Sequence, residues 1–160
     1  PVELKWPNDV LIMDQRASAD RRFLKVAGIL AEGLPVEVGE GVVIGLGVNI
    51  GEHSFPPELA NVATSLETAF GQPVRRGDLC AEILVQLLNW RASVETLGSE
   101  LALSCWRDLS PSSCGAMVSW VLRGIRCRGV TAGIDDSGAL LVDCEGRRER
   151  IVGGELTWEF

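Results

Sequence analysis

Apolar residues recur with one period before residue 75, with another between 75 and 97, and with the first again beyond 115. This change of period restricts the fold more than any other feature of the chain. Asp9-Val10-Leu11-Ile12-Met13, the run Lys25 to Glu32 and the run Gly41 to Ile50 are apolar, partly β-branched, and bounded by Gly, Pro or charged turns. They predict three neighbouring strands. Between the first two, Asp14 to Arg22 is polar, without periodicity, and reads as an exposed, mobile loop. Leu79, Ile83, Leu87, Trp90, Val94 and Leu97 then recur at three- and four-residue steps. That spacing predicts an amphipathic helix from Arg75 whose stripe packs on the sheet, with Asp78 as N-cap, Glu82 in the first turns and Gly98 at its end. A shorter helix is expected over Glu100 to Arg107.

The turn formers of Asp108 to Gly115 break both periods and mark a boundary, giving domains at 1–110 and 111–160. Met117 to Leu122, Arg126 to Ile134, Ala139 to Asp143 and Arg147 to Val152 then read as short strands, with Asp135 to Gly138 and Glu145-Gly146 as hairpin turns. Short strands over about 45 residues have the size of a small SH3-like barrel. The expected fold class is α+β, a mixed sheet with packed helices followed by that barrel.

A length of 160 residues suits two compact units, and 46% hydrophobic with 23% charged residues is the balance of a globular protein. No apolar run approaches the roughly 20 residues of a membrane span, and no secretion leader is present, so the chain reads as cytosolic. It opens at Pro1 within the strand-like Val2-Glu3-Leu4-Lys5-Trp6, and a continuation upstream is expected. A net charge of -7 disfavours non-specific nucleic-acid binding, because phosphate attraction needs the opposite sign. The five cysteines (Cys80, Cys105, Cys114, Cys127, Cys144) are scattered, without a Cys-x-x-Cys pair, which offers no zinc site and fits a reducing compartment. No base stands near any of them in sequence to make a nucleophile of it.

Three stretches carry candidate chemistry. In Val42 to Ile50, alternation puts Val42, Ile44, Leu46, Val48 and Ile50 on one aliphatic face and Val43, Gly45, Gly47 and Asn49 on the other. Two glycines followed by an amide leave room either for a ligand or for a closely packed backbone, and the pattern alone does not separate these. Lys25 opens the second strand, with Gly28 three residues on. It can hold a carboxylate or phosphate, or simply reach solvent, which is the commoner use of a lone strand-end lysine. Turn chemistry explains Pro7, Asn8 and Asp9 but leaves Lys5 and Trp6 unexplained. His53, the single histidine, sits in the loop after Asn49, where it can meet phosphate or merely be exposed; exposure is the favoured reading. Trp90 and Trp106 fit helix-core positions and Trp158 a barrel strand.

Lys5-Trp6-Pro7-Asn8-Asp9, then Lys25-x-Ala27-Gly28-Ile29-Leu30-x-Glu32, then Gly45-x-Gly47-x-Asn49, in that order, resemble the biotin protein ligase family. Phe55 to Leu59 with Ala63 to Leu66, and Gly133-Ile134-Asp135 with Gly138 to Leu141, extend the resemblance over nearly the whole chain, as the family's C-terminal portion. Asp14 to Phe23 looks longer than is common in the family, and Gly154 to Phe160 lacks an arginine often found after the corresponding glutamate. The family's glycine- and arginine-rich loop is expected upstream of residue 1.

The resemblance implies a biotin–[acetyl-CoA-carboxylase] ligase. Such an enzyme joins biotin to ATP as biotinyl-5'-adenylate with release of pyrophosphate, then acylates a lysine on a biotin carrier domain. By the same resemblance, Lys25 would be catalytic and would bind biotin, with Gly28, Gly45 and Gly47 lining the biotin pocket. Lys5, Asn8, Asp9 and Asn49 would lie on the nucleotide and Mg2+ side, with no residue assigned to the metal directly. The implied partner is the biotin carboxyl carrier protein or domain of a carboxylase, with no nucleic acid or membrane partner for this segment and the parent either monomeric or homodimeric. Residues 1–160 alone are expected to show little ligase activity. A lipoate-attaching ligase and a non-catalytic carrier-docking module are the alternative readings.

Overall fold

The computed structural model describes residues 1–13, 23–35, 40–51, 55–154 and 156–159; the loop expected over Asp14 to Arg22 lies outside them. Contacts divide the chain into two compact units, one of Pro1–Leu4 with Asn8–Val85, the other of Lys5–Pro7 with Gln86–Phe160. No described helix is long and apolar enough to cross a membrane.

In the first unit, β1 (Val2–Lys5), β2 (Asp9–Met13), β3 (Phe23–Pro35) and β4 (Glu40–Val48) form a sheet in that order. The β2–β3 and β3–β4 pairs are antiparallel. The alternation of β-branched and small residues dictates these strands, and the three expected from sequence are β2, β3 and β4. A short helix, α1 (Leu66–Phe70), lies in a stretch from which no element was expected. Ser65 caps it by accepting the Thr68 N–H at 3.2 Å, and Gly71, at φ 69, ends it in the left-handed conformation. Ile12, Val26, Ala27 and Ala69 form this unit's buried cluster, with Val10, Val48 and Leu66 packed against it. Farther along the β3–β4 ladder, Leu30, Leu34, Val42 and Ile44 are exposed.

The spacing of apolar residues predicts α2 (Arg76–Leu97) nearly to the residue, but not its environment. None of its residues is buried: Leu79, Ile83 and Val94 are half-buried, while Leu87, Trp90 and Leu97 are exposed. The expected packing of the stripe, and the core position of Trp90, are therefore corrected. A stripe records which face of a helix can be buried, not whether a partner is there. Asp78 stands inside the first turn, paired with Arg75, rather than at the N-cap. Gly98, at φ 85, closes the helix as expected.

In the second unit, α3 (Glu100–Leu109) and a single 3-10 turn at Pro111–Ser113 lead into β5 (Cys114–Leu122), β6 (Ile125–Ile134), β7 (Leu140–Cys144), β8 (Arg147–Ile151) and β9 (Leu156–Glu159). These form one antiparallel sheet in the order β8-β7-β6-β5-β9. Leu122 faces Ile125 and Cys144 faces Arg147 across two-residue loops. Both central residues of each loop, Arg123-Gly124 and Glu145-Gly146, have positive φ. That is the turn whose twist matches a hairpin.

The core of this unit is Val118, Trp120, Ile134, Leu140, Val142, Ile151 and, from far away in sequence, Trp6; Trp106 and Trp158 pack against it. Trp6 is 4% exposed, and its indole N–H donates to the Gly138 carbonyl at 3.0 Å. The tryptophan that turn chemistry left unexplained is a core residue of the second unit. Asp135 organises the β6–β7 turn. Its Oδ1 accepts from the N–H groups of Ser137 and Ala139 and from the Ser137 hydroxyl, and its Oδ2 accepts from Arg150. Hydrogen bonds from Ser137 and Arg150 hold its carboxyl well below the usual carboxylate range.

Two outcomes are expected. Trp6→Ala, which removes a large buried side chain from this core, should destabilise the protein by about 3–5 kcal/mol in denaturant unfolding; a loss under about 1 kcal/mol would mean that Trp6 is not a core residue. Asp135 binds its proton less readily folded than unfolded, so its contribution is complete at neutral pH and disappears as pH falls below about 4. The stability advantage of the natural chain over Asp135→Asn should therefore shrink in acid, and a difference constant from pH 7 to pH 2 would contradict this.

Candidate functional site

The site begins with an irregularity in β3. Asp9 pairs with Gly28 and Val10 with Ala27, but Leu11 pairs with Lys25, so Val26 is an extra residue opposite the Val10–Leu11 step. In a regular strand, Lys25 and Gly28, three apart, face opposite sides. The bulge lets Val26 and Ala27 both enter the buried cluster and returns Lys25 to the face of Asp9 and Gly28. Lys25 Nζ then lies 2.5 Å from Asp9 Oδ1, the lysine side chain 45% exposed and the aspartate 15%.

The bulge also changes the neighbour on the other edge of β3. The last residues β4 gives to the ladder are Gly47 opposite Gly28 and Val48 opposite Ala27. At Lys25 the partner is Ala63, through Lys25 N–H to the Val62 carbonyl and Thr64 N–H to the Lys25 carbonyl, each 2.9 Å. Asn49 ties the two neighbours together: its N–H donates to the Val26 carbonyl at 2.9 Å and its side-chain amide to the Thr64 carbonyl at 3.1 Å.

Asp9, Gly28 and Gly47 thus form a row across three strands on one face, with Gly45 two residues along β4 on the same side, opposite Leu30. A methyl group on Gly28 would meet Lys25 Nζ at 3.3 Å and Asp9 Oδ1 at 3.8 Å. One on Gly47 would meet nothing within 4 Å, and one on Gly45 only Leu30 at 3.9 Å. Among the described residues the glycines therefore leave a bare strip of backbone that ends at the Lys25 ammonium. Among the described residues nothing packs against Gly47.

Asn8 sits beside the row, where its side-chain amide donates to the Ile29 carbonyl at 2.7 Å and its own carbonyl accepts the Ile29 N–H. Lys5 belongs to the second unit with Trp6 and Pro7, and His53 lies outside the described residues. No three His, Cys, Asp or Glu among the described residues are grouped to hold a metal ion. The bulge and the Ala63 neighbour were missed in the sequence. The signal was there in Lys25-Val26-Ala27-Gly28, two core-type residues in succession between two residues that share a face.

Residues 1–49 match the Biotin/lipoate A/B protein ligase family, and residues 123–156 match the Biotin protein ligase C terminal domain. The Bifunctional ligase/repressor BirA of Bacillus spizizenii is 30% identical over 96% of this chain and 45% of its own length. The protein of that name from Escherichia coli is 30% identical over 98% of this chain and 46% of its own. The biotin--[acetyl-CoA-carboxylase] ligase of Mycobacterium tuberculosis is 32% identical over 96% and 52%. The chain spans about half the length of these relatives. The fold is that of the apo biotin protein ligase from Aquifex aeolicus, at a TM-score of 0.78 and 22% identity over 99% of this chain and 65% of that one. The Aquifex aeolicus ligase in complex with biotin and ATP superposes at a TM-score of 0.76. One family description matches the β1–β4 region and the other the C-terminal strands, so the chain is similar to the C-terminal portion of the biotin protein ligases.

Proposed function

We propose that the protein attaches biotin to a lysine of a biotin carrier domain, through biotinyl-5'-adenylate and at the expense of ATP. The observation that carries this reading is the bare glycine row ending at the Lys25 ammonium. Biotin joins a flat apolar bicycle and an aliphatic chain to one carboxylate. Gly28, Gly45 and Gly47 can lie against the first two while Lys25 meets the last. The Aquifex aeolicus ligase, which shares the fold, has been solved with biotin and ATP bound.

In the first step a biotin carboxylate oxygen bonds to the α-phosphorus of ATP and the bond to pyrophosphate breaks. In the second the neutral ε-amine of the carrier lysine bonds to the acyl carbon, AMP leaves with the former carboxylate oxygen, and the amine loses a proton. Negative charge gathers at the α-phosphate in the first step, and Lys25 is the cation on the glycine row to stabilise it. Asn8, Asp9 and Asn49 would take the nucleotide side. Mg2+ is commonly held by one or two carboxylates plus substrate phosphates, and it would sit on this nucleotide side with no residue assigned to it directly. Residues 1–110 would serve as part of the catalytic domain and residues 111–160 as an SH3-like barrel.

Titration calorimetry on the full-length protein tests this reading. Biotin should bind and lipoate should bind far more weakly. Lys25→Ala, which removes a charge-assisted contact, should weaken biotin by about 10- to 100-fold and reduce turnover sharply. Lipoate binding as well as biotin, or Lys25→Ala binding biotin like the natural protein, would refute it.

A further inference from the structure

The Asp9–Lys25 pair raises a question that the proposed function leaves open, because it places a second carboxylate beside the cation that is to receive the substrate's own. Asp9 is fixed on β2 opposite Gly28 and is mostly buried, whereas Lys25 ends in a half-exposed ammonium on a flexible stem. The contact fits because Gly28 has no side chain: a methyl there would stand 3.3 Å from Nζ and 3.4 Å from Cε. We infer that Asp9 is a specificity-determining residue that makes the site discriminate against a carboxylate relative to an uncharged acyl group. The inference rests on the reading of Lys25 as the biotin-carboxylate partner.

Two opposed effects act on a ligand that reaches the ammonium. Holding Lys25 in place saves the rotamer entropy of ordering it, a saving shared by every ligand that touches the ammonium. Against that, two carboxylates contacting one ammonium stand about 5 Å apart and repel each other, a like-charge cost an uncharged group escapes. The repulsion falls on a ligand that ends in a carboxylate and is absent for an analogue that ends in an uncharged group. The same pairing keeps simple anions from occupying the ammonium, since only a ligand that also gains contact along the glycine row can offset the repulsion.

The test compares biotin with its alcohol analogue, in which a hydroxymethyl group replaces the carboxylate, by calorimetry on the full-length protein without ATP or Mg2+. Under these conditions any contact of Asp9 with nucleotide or metal is silent. Asp9→Asn should tighten biotin by about tenfold and leave the alcohol within about twofold, while Asp9→Glu, which keeps the charge, should stay near the natural ratio. Asp9→Ser serves the same comparison should the amide variant fail to fold. Biotin affinity unchanged or weakened in the neutral variants, or both ligands shifted by one factor, would overturn the inference. The failure of the underlying reading looks different: in that case Lys25→Ala binds biotin like the natural protein, and both claims fall together.

Discussion

One extra residue in β3 governs the site. Without the bulge at Val26, the three-residue step from Lys25 to Gly28 would put the ammonium and the bare backbone on opposite faces of the sheet. With it, two adjacent side chains share the buried cluster and the charge emerges beside Asp9. The irregularity also frees the Val26 carbonyl to accept from Asn49 and lets Ala63 take over as neighbour to Lys25. The segment leading to α1, capped by the buried Ser65, is anchored by that exchange of partners.

The surface that results has a bare strip of backbone, one cation and one fixed anion, and the three have different origins. The strip comes from missing side chains and needs no energy from the ligand to open. The cation is cheap to display because nearly half of its side chain remains in water. The anion is the unusual element, since a carboxylate next to the cation weakens the attraction that ammonium offers to any anionic ligand.

Much of this was legible in the sequence, and the gaps have physical causes. Alternation gave β2, β3, β4 and the short strands of the second unit, because a two-residue period survives in any half-buried strand. The three- and four-residue spacing of Leu79 to Leu97 gave α2 but not its exposure, because periodicity describes the helix and not its surroundings. Trp6 was unexplained because its hydrogen bond to Gly138 spans 132 residues, and no local pattern reports so distant a partner. The residues of the site were individually visible as a lysine, an aspartate and three glycines. Their sharing of one face was not, because that depends on a bulge. Nor does a local pattern report that the side-chain amide of Asn49 ties Thr64 to the end of β4.

The central claim is that biotin lies along the glycine strip with its acid group at Lys25, and a crystal structure of the protein soaked with biotin addresses it most directly. The account requires the bicycle or its aliphatic chain against the backbone of Gly45 and Gly47 and a carboxylate oxygen within about 3 Å of Lys25 Nζ. Biotin bound elsewhere, or bound on the strip with Lys25 turned to solvent, would contradict it.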